Sequence, residues 1–121
     1  MEKRKQYDLQ KRLVKFSASI IIYASNLKKD FASEHLLKQL IRSSTSAALN
    51  YGEAQSAESK RDFIHKMKLC LNELRESQVN MQIIEEANLV QRDKDKFKEN
   101  QKECSELVAI FTTSLKTSNK S

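Results

Sequence analysis

Turn-forming residues are almost missing from this sequence of 121 residues, which has one glycine and no proline. Sheets and irregular folds need such residues in their turns far more often. The abundant residue types are Leu, Lys, Glu, Ala, Gln and Ser, and most of these favour helices. The sequence therefore predicts long helices joined by short connections, within a single domain over residues 1–121.

Long apolar runs are also missing. No run approaches the roughly 18 residues that a membrane span requires, and the charged N-terminus lacks the apolar core of a signal peptide. The two cysteines lie far apart and form no CxxC motif, so nothing indicates a secreted disulfide scaffold. We therefore expect a soluble, cytoplasmic protein that does not associate with a membrane.

Four stretches carry apolar residues at spacings of three and four, which is the pattern of one face of a helix. The third stretch alternates these steps regularly, as in the seam of a left-handed bundle. Because short connections force neighbouring helices to run antiparallel, we predict an all-α, antiparallel, up-down-up-down, left-handed four-helix bundle. The predicted helices cover about residues 8–28, 34–54, 60–87 and 94–116, and residues 117–121 are predicted to be a disordered tail.

The formal net charge is +6 and the pI is about 9.4, a balance that favours nucleic acid, anionic lipid or acidic proteins without choosing among them. In an up-down bundle the first and third helices begin at the same end, so their basic residues would form one phosphate-binding end. Aromatic residues are scarce outside the predicted core, so binding would be directed at the backbone and sensitive to salt. The predicted binding residues are Lys3, Arg4, Lys5, Lys11, Arg12, Lys60 and Arg61.

Signals for catalysis are weak. Asp62 and His65 have the carboxylate-x-x-His spacing of di-iron bundles, but those sites need two such motifs and further carboxylates. Cys70 and Cys104 lie on apolar faces, where a thiol acts as a small hydrophobic group. A phosphate-binding loop needs more than one glycine. We therefore predict no metal, no cofactor and no enzyme activity.

Polar residues border the apolar faces of the second and third helices. Glu73 and Glu76 could do acid–base chemistry together. Sets of this kind more often fix the register of helices or a contact between subunits. The structural interpretation is therefore favoured for Arg42, Asn50, Glu53, Glu73 and Glu76.

Two motifs resemble a known family. Residues 39–54 read QLIRSSTSAALNYGEA, and residues 59–67 read SKRDFIHKM, with Glu73 and Glu76 following. Together they resemble the bacterial four-helix-bundle family encoded in intervening sequences of 23S ribosomal RNA genes. That family is sometimes labelled a ribosomal protein, and it is similar to the accessory protein of diversity-generating retroelements.

The resemblance implies an up-down bundle, assembly as a ring-like homopentamer, no known enzyme activity and a nucleic-acid role through a basic surface. Tyr51 matches a Tyr-containing branch of the family. The chain departs from the pattern where relatives of that branch often carry a bulky aromatic pair, since Val79 and Asn80 stand there. The positions that match recurrent polar residues of the family are Arg42, Ser43, Ser46, Asn50, Glu53 and Glu76.

Two functional hypotheses follow. The first is a non-enzymatic, homo-oligomeric accessory protein that binds the backbone of RNA or DNA. The alternative is a scaffold for protein–protein interaction without a nucleic-acid role. Ile21 and Ile22 support the alternative, because they widen the apolar face of the first helix beyond a single stripe.

Overall fold

The structure is a computed structural model that describes residues 2–27 and 30–120, with the side chains of residues 9–27 and 30–118. Four α-helices make up almost all of this part of the chain, and it contains no strand. The helices are α1 (Glu2–Ser25), α2 (Phe31–Gln55), α3 (Lys60–Glu86) and α4 (Lys94–Lys120).

Several helix ends differ from the sequence-based expectation. α1 ends at Ser25 instead of residue 28, α2 begins at Phe31 instead of residue 34, and the largest differences are at the start of α1 and the end of α4. The structure begins α1 at Glu2, because the first six residues contain no helix breaker and only the apolar periodicity starts later. It also continues α4 to Lys120 in place of the disordered tail predicted from residue 117. The Thr117 hydroxyl donates to the Thr113 carbonyl at 3.1 Å within this last segment. Residues 28 and 121, at the ends of the predicted first helix and tail, lie outside the described residues.

Side-chain caps start α2 and α3. The Asp30 carboxylate accepts from the Ser33 backbone N–H at 2.8 Å, and the Ser59 hydroxyl accepts from the Asp62 N–H at 3.0 Å. Each cap satisfies one of the backbone donors that a helix N-terminus leaves unpaired.

Residues with positive φ flank the connection between α3 and α4. Asn88 has a φ of 57°, and its N–H donates to the Glu85 carbonyl while the Leu89 N–H donates to that of Ile84. This is the hydrogen-bonding pattern of a Schellman motif, which ends a helix with one left-handed residue. Asp93, with a φ of 51°, precedes α4 and accepts from the Phe97 N–H.

Each helix packs against the helices before and after it, and α1 also packs against α4. Within the described chain the backbones of α1 and α3 do not approach each other closely, and neither do those of α2 and α4, so each of these pairs is diagonal. Across every packed pair, residue numbers fall along one helix as they rise along the other, as expected for an up-down-up-down bundle. The left-handed twist stays a prediction. The hydrogen-bonded pairs are Gln10–Ala48 and Ser17–Ser44 (α1 and α2), Ser43–Ser77 and Glu53–Lys66 (α2 and α3), Gln78–Ser105 and Glu85–Lys98 (α3 and α4), and Arg12–Glu103 and Ser19–Asn100 (α1 and α4).

The apolar stripes meet in one core along the bundle axis. The Tyr51 ring packs edge-on against Phe111 with centroids 5.7 Å apart, and Tyr23 packs against Phe97 at 5.6 Å. Burial of these apolar side chains is the main stabilising contribution to the fold. The fully buried apolar residues are Leu13, Phe16, Ile20, Leu40, Ala47, Cys70, Leu74, Met81, Cys104, Leu107 and Phe111.

Four serines form a polar level within this core, which we call the serine layer (Ser17, Ser43, Ser44 and Ser77). The Ser17 hydroxyl donates to the Ser44 carbonyl at 2.9 Å, and the Ser43 and Ser77 hydroxyls lie 2.6 Å apart. A side chain this short reaches the backbone of the next helix only when the two helices lie close together. The layer therefore fixes the relative heights of α1, α2 and α3.

Among the described residues, no helix is both long enough and apolar enough to cross a membrane.

Candidate nucleic-acid interface

A shallow groove with a volume of about 570 Å³ runs along the solvent side of the first turns of α3. The Ser59 cap begins the helix just before it, so residues spaced by three and four share its outer face. No carboxylate is among the side chains that line it in the described chain. We call it the α3 basic groove, and its lining residues are Lys60, Arg61, Ile64, His65 and Lys68.

The cations of α1 lie beside a second groove, of about 840 Å³, between α1 and α4. Lys11 and Lys15 are exposed on its α1 side. Arg12 is engaged elsewhere, because its Nε and Nη2 donate to the two Glu103 oxygens at 2.9 and 2.6 Å, and Nη2 also reaches Glu106 at 3.2 Å. The hydrogen bond to Glu103 is the largest cause of the raised pKa of Arg12. Arg12 therefore links α1 to α4, and Lys11 and Lys15 are the α1 cations that face solvent.

The predicted basic cluster is divided between two corners of the bundle. α1 and α3 both begin at the same end, which we call the basic end. The two helices are diagonal, however, so Lys11 and Lys15 lie on one corner while Lys60 and Arg61 lie on the opposite one. The remaining predicted cations, Lys3, Arg4 and Lys5, have side chains outside the described residues.

The polar motif of α2 connects α2 to α3. Arg42 donates through Nη1 to Glu73 at 3.2 Å and through Nη2 to Glu76. Burial is the largest cause of the raised pKa of Glu73, while the hydrogen bond with Glu73 is the largest cause of the lowered pKa of Glu76. Glu53 forms an ion pair with Lys66 at 2.7 Å. These contacts fix the register of the two helices.

The hydroxyl of Ser43 and the amide of Asn50, from the same motif, form hydrogen bonds within the protein. Ser43 is fully buried in the serine layer and also donates to the Leu40 carbonyl at 3.2 Å. The Asn50 amide donates to the Ser46 carbonyl at 2.9 Å within α2. None of these groups is paired with a base as a nucleophile would be. Sequence reasoning missed the partners Lys66, Ser77 and Glu103, since spacing along one helix does not show what faces it.

The thiols and imidazoles do not form a reactive site in the described chain. Burial raises the pKa of both Cys70 and Cys104 to about 12, so each remains a thiol at neutral pH. His35 and His65 are exposed on different helices. Within the described ranges, no three side chains among His, Cys, Asp and Glu converge as metal ligands would.

Comparison with known structures gives a match to a crystal structure of a protein of unknown function from the S23 ribosomal protein family of Bacteroides thetaiotaomicron. The TM-score is 0.79 at 24% sequence identity, over 93% of this chain and 98% of the other. This similarity confirms the fold. No curated protein matches the sequence.

Comparison with family models gives a match over most of the chain. The model of the 23S rRNA-intervening sequence protein matches residues 5–113. That span includes both sequence motifs, all of α2 and α3 and most of α1 and α4, so the resemblance noted from the motifs is confirmed. The chain belongs to the 23S rRNA-intervening sequence protein family.

Proposed function

We propose that this protein is a non-enzymatic, homo-oligomeric accessory protein of the cytoplasm that binds the phosphate backbone of RNA or DNA. The observation that carries the proposal is the α3 basic groove, where Lys60, Arg61 and Lys68 share one exposed face with His65. Closely spaced cations on a solvent face attract phosphates and displace their counterions. The family's association with 23S ribosomal RNA genes supports RNA as the first candidate.

The placement of aromatic residues supports backbone contact over base recognition. Tyr23, Tyr51 and Phe111 are buried in the core, where they cannot stack on bases. Phe31 is 92% exposed, but it begins α2 at the end opposite the basic groove. Contacts to phosphates position a protein without reading sequence, so we expect weak sequence preference and strong dependence on salt.

Self-assembly is the second part of the proposal. Val14, Ile21 and Ile22 are 42 to 60% exposed on α1, and Val79 and Ile83 are about half exposed on α3. Apolar residues that cluster on a solvent face are typical of interaction surfaces. The homopentamer implied by the family resemblance stays a prediction about the number of copies.

A direct test removes two cations from the α3 basic groove. We expect the double variant Arg61→Glu and Lys68→Glu to bind a fluorescein-labelled RNA or DNA duplex about tenfold more weakly in about 50 mM salt. The slope of log K against log salt should also decrease by about two for duplex DNA. Fluorescence anisotropy over a salt series measures both quantities.

The matched control is the double variant Lys94→Glu and Lys102→Glu, which changes the net charge equally on exposed cations of α4. We expect a much smaller loss of affinity, because these cations lie outside the α3 basic groove. Equal losses in both variants would indicate attraction by net charge alone. Absence of binding by the unchanged protein in about 50 mM salt would refute the proposal.

The alternative is a protein-interaction scaffold, and the exposed apolar residues of α1 favour it. Under this alternative, a pull-down with the purified protein returns a protein partner that stays bound after nuclease treatment. The Arg61→Glu and Lys68→Glu variant would then retain that partner, whereas Ile22→Asp would lose it. The two variants therefore separate the hypotheses.

A further inference from the structure

Histidine is scarce in this protein, and one of its two histidines lies among the cations of the α3 basic groove. His65 is exposed on the outer face of α3. His35, the other histidine, is exposed on the second turn of α2, at the opposite end of the bundle. Histidine is the side chain whose ordinary change of charge falls between about pH 5 and 8. The lining of the groove therefore includes a group of the kind that gains a positive charge on mild acidification.

His65 lies between two cations of the groove. Arg61 is four residues before it and Lys68 three residues after it, so the three side chains share one face of the helix. Neighbours at these spacings have Cβ atoms about 5 to 6 Å apart. Within the described chain none of these three side chains forms a hydrogen bond or an ion pair. Their donors are therefore available to a ligand.

The carboxylates closest along the chain and on α2 are directed to another residue. Glu53, the acid of the last turns of α2, is bonded to Lys66 at 2.7 Å. The pKa of Lys66 is raised first by this hydrogen bond and, to a smaller extent, by the charge of Asp62. Both carboxylates therefore act on Lys66, which faces α2.

The other charged residues beside the start of α3 leave the groove cationic. They are Glu58, in the connection from α2, and Lys116, near the end of α4, and both are exposed. No carboxylate lines the groove in the described chain, so a protonated His65 has no protein anion beside it there. A ligand would have to supply the negative charge.

A phosphate in the groove would supply it. A phosphate group that contacts both the guanidinium of Arg61 and the ammonium of Lys68 lies over the imidazole between them. Its negative charge favours the protonated imidazole, which in turn donates a charge-assisted hydrogen bond to a phosphate oxygen. Because linkage is reciprocal, protonation and phosphate binding strengthen each other by the same factor.

We propose that protonated His65 is a phosphate contact of the α3 basic groove, so that binding of a nucleic-acid backbone is coupled to the uptake of a proton. The inference rests on the proposed function and adds to it a dependence on pH. Arg61 and Lys68 are charged throughout the range from about pH 5 to 8, and His65 adds a further cation as the pH falls. Binding is therefore tighter at mildly acidic pH.

The first experiment measures binding at two pH values. The probe is a rhodamine-labelled RNA or DNA duplex without terminal phosphates, because a phosphomonoester titrates in the same range. We expect the unchanged protein to bind it about threefold more tightly at about pH 5.5 than at about pH 8, in about 50 mM salt. For duplex DNA, the slope of log K against log salt should be steeper by about one at the lower pH. Fluorescence anisotropy over a salt series measures both quantities.

Three variants assign the effect to one residue. His65→Gln keeps a polar side chain that cannot become a cation, so its affinity should no longer rise as the pH falls. His35→Gln is the matched control, since it removes the other exposed histidine and should leave the dependence intact. His65→Lys carries a charge at both pH values, so it should bind at about pH 8 as tightly as the unchanged protein does at about pH 5.5. Circular dichroism verifies that each variant keeps its helices.

Nuclear magnetic resonance measures the uptake of the proton directly. The imidazole resonances of the unchanged protein are followed from about pH 5 to 8, with and without the duplex. His65→Gln identifies the His65 resonance by its disappearance. We expect the duplex to move the midpoint of the His65 titration to higher pH and to leave the midpoint of His35 in place.

The outcomes separate this inference from the proposed function. Equal affinity of the unchanged protein at the two pH values overturns the role of His65 and leaves backbone binding intact. A pH dependence that persists in His65→Gln, or a His65 titration that the duplex does not move, also overturns it. Failure of the unchanged protein to bind the duplex at either pH in about 50 mM salt refutes the proposed function itself.

Discussion

At the scale of single residues, the polar motif of α2 acts on the bundle more than on solvent. Arg42 reaches Glu73 and Glu76 across to α3, and Ser43 shares a buried hydrogen bond with Ser77. Ser43 and Ser77 are fully buried, and a buried hydroxyl without a partner would cost more than a hydrogen bond returns, so this pair favours one register. The motif therefore specifies how α2 and α3 meet.

The two cysteines behave as apolar residues. Cys104 donates weakly to the Leu74 carbonyl at 3.3 Å, and Cys70 and Cys104 are both completely shielded from solvent. Their environments disfavour the thiolate, which explains why burial is the largest cause of both raised pKa values. Neither cysteine is a candidate nucleophile.

We predict that stability falls as the pH rises from about 9 towards about 12. The unfolded thiols release their protons near the ordinary pKa of 9.0, while the folded thiols retain theirs up to about 12. The folded state then binds more protons, so each thiol lowers the free energy of unfolding by up to about 1.4 kcal/mol per pH unit in this window. Urea unfolding at several pH values measures the slope. The Cys70→Ala and Cys104→Ala double variant should show a shallower decline, and equal slopes would contradict the prediction.

At the scale of elements, each helix end has its own physical cause. Asp30 and Ser59 start α2 and α3 through side-chain caps, and Asn88 ends α3 through its left-handed backbone. A chain almost without glycine and proline has few other means of stopping a helix. Boundaries therefore depend on a few polar residues at the joints.

Replacing Asn88 tests the helix stop. Asn88→Ala should lower the free energy of unfolding by about 1 kcal/mol, because the φ of 57° places a Cβ near the following carbonyl and Ala lacks the local hydrogen bonds of Asn. Asn88→Gly is the matched control and should be at least as stable as the unchanged protein. Urea unfolding followed by circular dichroism measures both. An Ala variant as stable as the Gly variant would show that the conformation does not matter.

At the scale of the whole molecule, packing is uneven. Contact is most extensive between α2 and α3, where the serine layer and two sets of ion pairs link the helices, and least extensive between α1 and α4. Bidentate pairing of Arg12 with Glu103 is a main polar link across the looser pair. Local opening should follow the looser packing.

Hydrogen exchange tests this order. We expect the amides of α1 and α4 to exchange faster than those of α2 and α3. Arg12→Met removes the charge but keeps an aliphatic stem. It should speed exchange in α1 and α4 about fivefold, because a partly exposed ion pair of this kind contributes about 1 kcal/mol. Lys38→Met, which removes an exposed pair with Glu34 within one helix, should change nothing. Uniform acceleration along all four helices under Arg12→Met would contradict the prediction.

The periodicity of apolar residues determined the four helices and the membership of the core. Leu13, Leu74 and Phe111 are buried as their spacing predicts, because a helix turns by a fixed angle per residue and places such positions on one face. The same spacing could not locate the ends of α1 and α4, since helix propensity continues past the last buried residue. Nor could the spacing locate the start of α2, which depends on the hydrogen bond from the Ser33 N–H to the Asp30 carboxylate.

Only the tertiary structure decided how the charges are distributed. Sequence reasoning placed the cations of α1 and α3 at one end, but it could not show that these helices are diagonal or that Arg12 is held by Glu103. Periodicity along one helix reports which side faces inward. It contains no information about which neighbour lies across, because that depends on contacts between residues far apart in the chain. The division of the basic surface between two corners is therefore a property of packing alone.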